Sequence, residues 1–162
     1  MTMKKEKHQN KRFIELVERL LERWGYNRTE GKIYAVLLMN GKPMTISELA
    51  KSTGLSRSSV SIALSNLSRE YLVTYRKEGK TKYFSAVPVF LEKFLKQPQE
   101  MLEREVLPLK KVVESLLESA ESDEKRATYE AILSDLSTLE CVLKRLIEFE
   151  ERDELCFKKG SS

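Results

Sequence analysis

The chain has 162 residues, with 29 Lys and Arg against 25 Asp and Glu, one His, two Cys and a formal charge of +4. That length suffices for one good core, or for a small domain with an extended element. With no run of 18 apolar residues, no apolar leader after the basic start, and too few Cys and His for a disulfide framework or a metal cluster, the expected setting is the reducing cytoplasm, with no membrane partner, metal or cofactor.

An amphipathic helix is predicted over 11–24, with Phe13, Leu16, Val17, Leu20, Leu21 and Trp24 on one side. The residues before it, His8 included, read as a polar tail. Gly25 ends the helix. Asn27, with Glu30 three residues on, forms a capping box for a helix carrying Ile33, Tyr34, Leu37 and Leu38 and ending near Asn40-Gly41. Thr45 and Glu48 repeat that signature at a third helix, with Leu49 and Ala50 on its apolar side. Gly54 sits at a turn where a positive φ costs nothing, and Leu55 is placed to fill the gap after it. Ser56 caps a fourth helix that runs to about Glu70, with Val60, Ala63, Leu64 and Leu67 at helical spacing. Residues 72–87, LVTYRKEGKTKYFSAV, read as a β-hairpin turning at Glu78-Gly79. Pro88 ends the hairpin and opens a short helix with Phe90, Leu91, Phe94 and Leu95. Pro98 fits the first turn of a longer helix carrying Met101, Leu102, Val106, Leu109, Val113, Leu116 and Leu117, with a kink expected at Pro108. Residues 119–126 read as a turn. Ser122 then caps a last helix carrying Tyr129, Ile132, Leu133, Leu136, Leu139, Leu143, Leu146 and Ile147, with Asp123 and Glu124 near its positive end. Phe157 is expected to pack loosely, and residues 158–162 to fray.

The third and fourth helices spell a helix-turn-helix, whose second helix enters the major groove of DNA. Opposite the Val60-Leu64-Leu67 stripe stand Ser58, Ile62, Ser65 and Arg69, flanked by Ser59, Ser61 and Asn66. Ser58, Ser59, Ile62, Ser65 and Asn66 are the candidate base-reading residues, with Ile62 suited to a thymine methyl. The hairpin that follows is a wing. Its Arg76, Lys77, Lys80 and Lys82, with Arg57 and Arg69, are the candidate backbone contacts. Charge is divided accordingly: residues 42–87 hold eight Lys/Arg and three Asp/Glu, while 101–155 hold eight against fifteen. The basic part suits a polyanion and the acidic part does not.

The fold class expected is mainly α with a small β-hairpin wing. A winged helix-turn-helix over 27–87 lies between a dimerisation helix at 11–24 and a helical dimerisation region at 88–157. The flanking helices carry more apolar face than a monomer hides, which points to a homodimer. Leu20, Leu109, Leu136, Leu139 and Leu143 are candidate interface or core positions. Trp24, Tyr26 and Tyr34 are candidates for lining a pocket for an unknown small effector; the competing reading has them simply packed. Catalysis is not expected: there is no Gly-rich phosphate loop, HExxH, CxxC or GxSxG, and no histidine near the serines of 56–68. Redox control through Cys156 is a weaker candidate, with only Arg152, Lys158 and Lys159 near to favour its thiolate.

The run TISELAKSTGLSRSSVSIALSNL followed by LVTYRKEGKTKYFSA resembles the MarR superfamily, and within it the GbsR-like branch, over roughly residues 12–95. The resemblance implies a homodimer with a wing at each of two corners. It also implies a repressor of nearby genes, released from DNA in some members by a small ligand. Ser56 to Ser61 match the start of the family's recognition helix, and Arg76, Lys77, Lys80 and Lys82 match its wing. Ligand recognition does not carry over. A quaternary ammonium needs a cage of aromatic faces, and Trp24, Tyr26, Tyr34, Tyr129 and Phe149 are each more simply core or interface. The function expected is a homodimeric repressor that binds double-stranded DNA at a pseudo-palindromic operator. The alternative is a low-specificity architectural DNA binder or a winged-helix protein-interaction protein.

Overall fold

The computed structural model of the chain describes residues 2–152, with side chains as far as Phe149. Cys156, Phe157 and the end at 158–162 lie outside the described residues. The elements in order are α1 (Thr2–Arg23), α2 (Arg28–Asn40), α3 (Ile46–Thr53), α4 (Arg57–Arg69), β1 (Val73–Glu78), β2 (Thr81–Ala86), α5 (Phe90–Met101), a π-helical turn (Leu102–Val106), α6 (Leu107–Glu118) and α7 (Asp123–Arg152). They fall into two compact units that divide between Val89 and Phe90. Among the described residues no helix is long and apolar enough to cross a membrane.

In the first unit the helix starts follow the local chemistry. Asn27 and Thr45 each close a full capping box, and the Ser56 side chain accepts from the Ser59 N–H. Gly41 and Gly54 end α2 and α3 in the left-handed region, at φ 68° and 72°. α4 ends differently. Leu72 N–H bonds the Leu67 carbonyl and Tyr71 N–H that of Ser68, which puts Tyr71 at the left-handed position with φ 63°. Glycine usually fills that position, because a Cβ there is crowded.

α2 is the centre of this unit. Ile33, Tyr34, Ala35, Val36 and Leu37 are all buried, because α1, α3, α4 and β2 pack around the helix. Leu21, Leu49, Val60, Leu64, Leu67, Leu72 and Val73 complete the core. Gly31 lets α1 approach closely: a Cβ there would stand 2.9 Å from the Glu18 Cα.

The hairpin pairs Val73 with Ala86 through Glu78 with Thr81, leaving Gly79-Lys80 as a two-residue turn. The turn is thus one residue later than Glu78-Gly79. Gly79, at φ 61°, takes the first loop position, where a primed turn matches strand twist. Met44 joins the two-stranded hairpin by a single-residue bridge, exchanging both backbone bonds with Phe84 at 2.9 and 2.8 Å.

Two further expectations are corrected. The first helix begins at Thr2 rather than 11, so His8 is helical; Lys, Glu, Gln and Arg are good helix formers, and nothing before Gly25 breaks the run. The expectation for Pro98 fails, while Pro108 lies within an unbroken helical run over 90–118, as expected. Pro98 lies inside α5, while Pro108 stands in the first turn of α6, directly after the π-helical turn. A missing N–H is tolerated in a first turn, and the π-helical turn resets the bonding ladder ahead of it.

In the second unit Leu102, Val106 and Leu143 form a small core, with Ile147 against it, and Val113 and Leu136 are buried. Lys125 N–H donates to Ser122 Oγ at 3.2 Å, the cap expected for α7. Glu140 accepts from Lys110 Nζ at 2.8 Å and Lys144 Nζ at 2.7 Å, which holds its carboxyl down at about 2. Ile132, Leu139, Val142, Leu146 and Phe149 remain exposed along α7, as do Leu109, Val112 and Leu116 on α6.

Candidate nucleic-acid interface

Helical spacing divides α4 into two stripes. Val60, Ala63, Leu64 and Leu67 are buried. Ser58, Ile62, Ser65 and Arg69 stand on the opposite side, all exposed, with Ile62 63% exposed at the centre. An isoleucine this open gains nothing from folding, and hydroxyls around it leave the face free of acid. Ser59 and Asn66 sit on the flanks and are engaged within the chain. Ser56 Oγ donates to Ser59 Oγ at 2.9 Å, and Asn66 Nδ2 donates to Glu30 Oε1 at 3.1 Å. The structure therefore brings Ser58, Ile62 and Ser65 together on the outward face, and turns Asn66 toward α2.

The basic residues also divide in two. Directly paired strand residues share a face. Lys77 and Lys82 are paired across the hairpin, on the face that carries Val73 and Phe84 nearer its base. With Lys80 at the turn and Arg57 at the start of α4, they line a cleft of about 470 Å³ that is closed on one side by Thr45, Ile46 and Ser47 at the start of α3. None of its lining residues is acidic. Like charges directly opposite on a hairpin repel. Lys82 is partly compensated by the Tyr75 ring, 4.6 Å away. At the α3 start the Thr45 and Glu48 N–H groups are already taken by the capping box, and the Glu48 carboxylate offsets the partial positive charge of the helix end. The four cations of the lining suit an anion. Arg76 lies on the other face, 3.3 Å from Glu78 and over the Tyr83 ring. Arg69 is exposed near the far end of α4.

Sequence reasoning named the four cations of the cleft but not its fourth wall, the α3 start. The cap signature Thr45-x-x-Glu48 was the available signal. Tyr34, a candidate pocket residue, is fully buried. Its hydroxyl donates to the Val87 carbonyl at 2.6 Å and accepts from the Val89 N–H at 3.3 Å, and burial raises its pKa. It therefore fixes the exit of the hairpin. Trp24 and Tyr26 are half-buried. Of the candidate interface leucines, Leu136 and Leu143 are buried within the chain, Leu20 is half-buried, and Leu109 and Leu139 are exposed. Among the described residues no group of three or more His, Cys, Asp or Glu is placed to hold a metal ion.

Known proteins share the fold that carries these residues. Residues 21–89 match the family model of the sugar-specific transcriptional regulator TrmB. The HTH-type transcriptional repressor OpcR of Bacillus subtilis (strain 168) is 35% identical over 54 residues, 33% of this chain and 29% of OpcR. The HTH-type regulator YvaV of the same organism, itself described as putative, is 37% identical over 49 residues, 30% of this chain and 28% of YvaV. The chain thus spans less than a third of the length of these curated relatives. Among solved structures, one described as a transcriptional regulator superposes with a TM-score of 0.52 at 17% identity, covering 89% of this chain and 99% of its own. TrmBL2, described as an archaeal chromatin protein with a novel mode of DNA binding, gives a TM-score of 0.54 at 27% identity over 71% of this chain and 45% of its own. These proteins are described as regulators and a chromatin protein. The fold of the chain is the winged helix-turn-helix fold of transcriptional regulators.

Proposed function

We propose that the protein is a sequence-specific transcriptional regulator that binds double-stranded DNA, of the MarR superfamily and close to its GbsR-like branch. It acts as a homodimeric repressor at a pseudo-palindromic operator. The observation that carries this reading is the cationic cleft of Arg57, Lys77, Lys80 and Lys82 at the start of α3, beside the acid-free outward face of α4. A phosphate in the cleft relieves the repulsion between Lys77 and Lys82. Ser58, Ile62 and Ser65 then face base edges, with Ile62 against a thymine methyl. The exposed stripe of Ile132, Leu139, Val142, Leu146 and Phe149 supports a dimer, since a surface of that kind marks a partner face. Two-fold symmetry would give each α4 one half-site. Control by a small effector belongs to this reading through the resemblance alone.

The likeness to TrmBL2 favours a second reading, an architectural DNA binder of low specificity. The two differ in the ratio of specific to random affinity, which for specific regulators is typically about 10³–10⁷. The backbone role is tested by titrating duplex DNA across a salt series. Lys80→Ala with Lys82→Ala is expected to lower the slope of log affinity against log salt by roughly two. An unchanged slope removes both residues from the interface.

A further inference from the structure

The chain uses the same capping box twice, and the two copies differ. At α3, Glu48 is exposed and bonds the Thr45 N–H at 2.8 Å. At α2, Glu30 is only 6% exposed and does more than cap. Its Oε2 accepts from the Asn27 N–H at 3.3 Å, and its Oε1 accepts from Asn27 Nδ2 at 3.0 Å and from Asn66 Nδ2 at 3.1 Å. Capping does not require burial, as Glu48 shows. What the buried copy adds is a directional bond to the recognition helix, 36 residues further along the chain.

Asn66 lies between the buried stripe of α4 and its outward stripe. The buried stripe consists of Val60, Ala63, Leu64 and Leu67, and apolar contact is non-directional. Such a stripe, close-packed, resists large rotation about the axis but supplies no directional contact to fix the angle. A polar bond at the flank restrains it strongly, since hydrogen bonds fail with small changes in distance and angle. The leverage is large. Side chains end about 5–6 Å from a helix axis, so a 20° turn shifts Ser58, Ile62 and Ser65 by about 2 Å, more than a base contact tolerates.

We infer that the Glu30–Asn66 bond sets the rotation of α4, making Glu30 and Asn66 positioning residues for base discrimination although neither faces a base. The inference rests on the sequence-specific reading above. It moves Asn66 from the base-reading set to the frame that aims that set.

The test uses the full chain and a duplex recovered by selection from random DNA, compared with a shuffled duplex of the same composition. Asn66→Asp removes the donor and sets a second carboxylate against Glu30, so attraction is replaced by repulsion. Glu30→Gln keeps the capping box, which accepts Gln as readily as Glu, and restores a donor to the pair. Asn66→Asp is expected to lower the ratio of selected to shuffled affinity at least tenfold, with the salt slope unchanged because the cleft cations are untouched. Glu30→Gln combined with Asn66→Asp is expected to return the ratio to within a few-fold of wild type. Direct base reading by Asn66 predicts no such rescue. If Asn66→Asp does not fold, Glu30→Ala carries the test with Asn66 intact: loss of the ratio supports the inference, and an unaltered ratio overturns it. A folded Asn66→Asp chain with the wild-type ratio overturns it, as does a double variant that folds without recovery. A wild-type chain that binds all duplexes alike removes the sequence-specific reading itself, and the inference with it.

Discussion

Replacing Gly31 by alanine tests the packing that supports the reading head. By intrinsic preference the change is favourable, since alanine in a helix is better than glycine by about 0.5–1 kcal/mol. The structure predicts the opposite sign. The added Cβ would stand 2.9 Å from the Glu18 Cα, a backbone atom that no rotamer change can move, and 3.5 Å from its Cβ and Cγ. Carbon atoms rest about 3.5–4.0 Å apart, so α1 must withdraw by roughly 0.6–1 Å, enough to forfeit a quarter to a half of the contact energy along that line. Val17 and Leu21, the buried residues of α1, bear that loss. Overpacking of this kind costs about 1–3 kcal/mol. Net of the helical gain, Gly31→Ala is expected to destabilise by up to about 2.5 kcal/mol. Urea unfolding followed by fluorescence is well placed to read it, because Trp24, the sole tryptophan of the sequence, directly follows α1. The midpoint should fall without a change in slope. Glu18→Ala in the same chain should not restore it, because the obstructing atom is the Cα. A Gly31→Ala chain more stable than wild type by the intrinsic 0.5–1 kcal/mol would refute the close approach of α1 and α2.

Two further outcomes follow from the same structure. Tyr71→Gly replaces a side chain held at φ 63°; relief of about 1–2 kcal/mol, less the cost of the more flexible unfolded chain, gives a change between neutral and about 1 kcal/mol stabilising, and clear destabilisation would contradict the left-handed cap. Glu140 has its folded pKa lowered to about 2 by Lys110 and Lys144, so its contribution is full above the unfolded value near 4.5 and is lost as pH falls from there toward 2. Wild type should therefore exceed Glu140→Gln in thermal midpoint at neutral pH, with the gap closing on acidification through that window. A gap independent of pH by circular dichroism would contradict the lysine pairing.

What was legible in the sequence was legible because it is local. Asn27-Glu30, Thr45-Glu48 and Ser56 act within one turn, so the helix starts of the winged unit could be read from spacing. The Val60-Leu64-Leu67 stripe and the alternating hairpin are likewise short-range patterns. What was missed depends on partners distant in sequence. The all-round burial of α2 follows from four neighbours, and its pattern of Ile33, Tyr34, Leu37 and Leu38 alone suggests a single face. Met44 joins the hairpin by bonds to Phe84, with no residue signal of its own. Asn66 falls at the margin of the outward face by helical angle, and only Glu30 decides which way it turns. Pro98 lies inside α5 rather than at a helix start, and spacing does not reveal the π-helical turn that precedes Pro108 within the same helical run.

The central claim is that the α4 face and the basic cleft read DNA as a symmetric pair. Selection of bound fragments from a pool of random duplexes, using the full chain at moderate salt, tests function class, symmetry and half-site spacing together. The expected result is enrichment of an inverted repeat whose half-sites are centred about one helical turn, or a multiple of it, apart. Retention of DNA without any enriched sequence would contradict specific regulation and leave the architectural reading, and failure to retain duplex even at low salt would contradict the interface altogether.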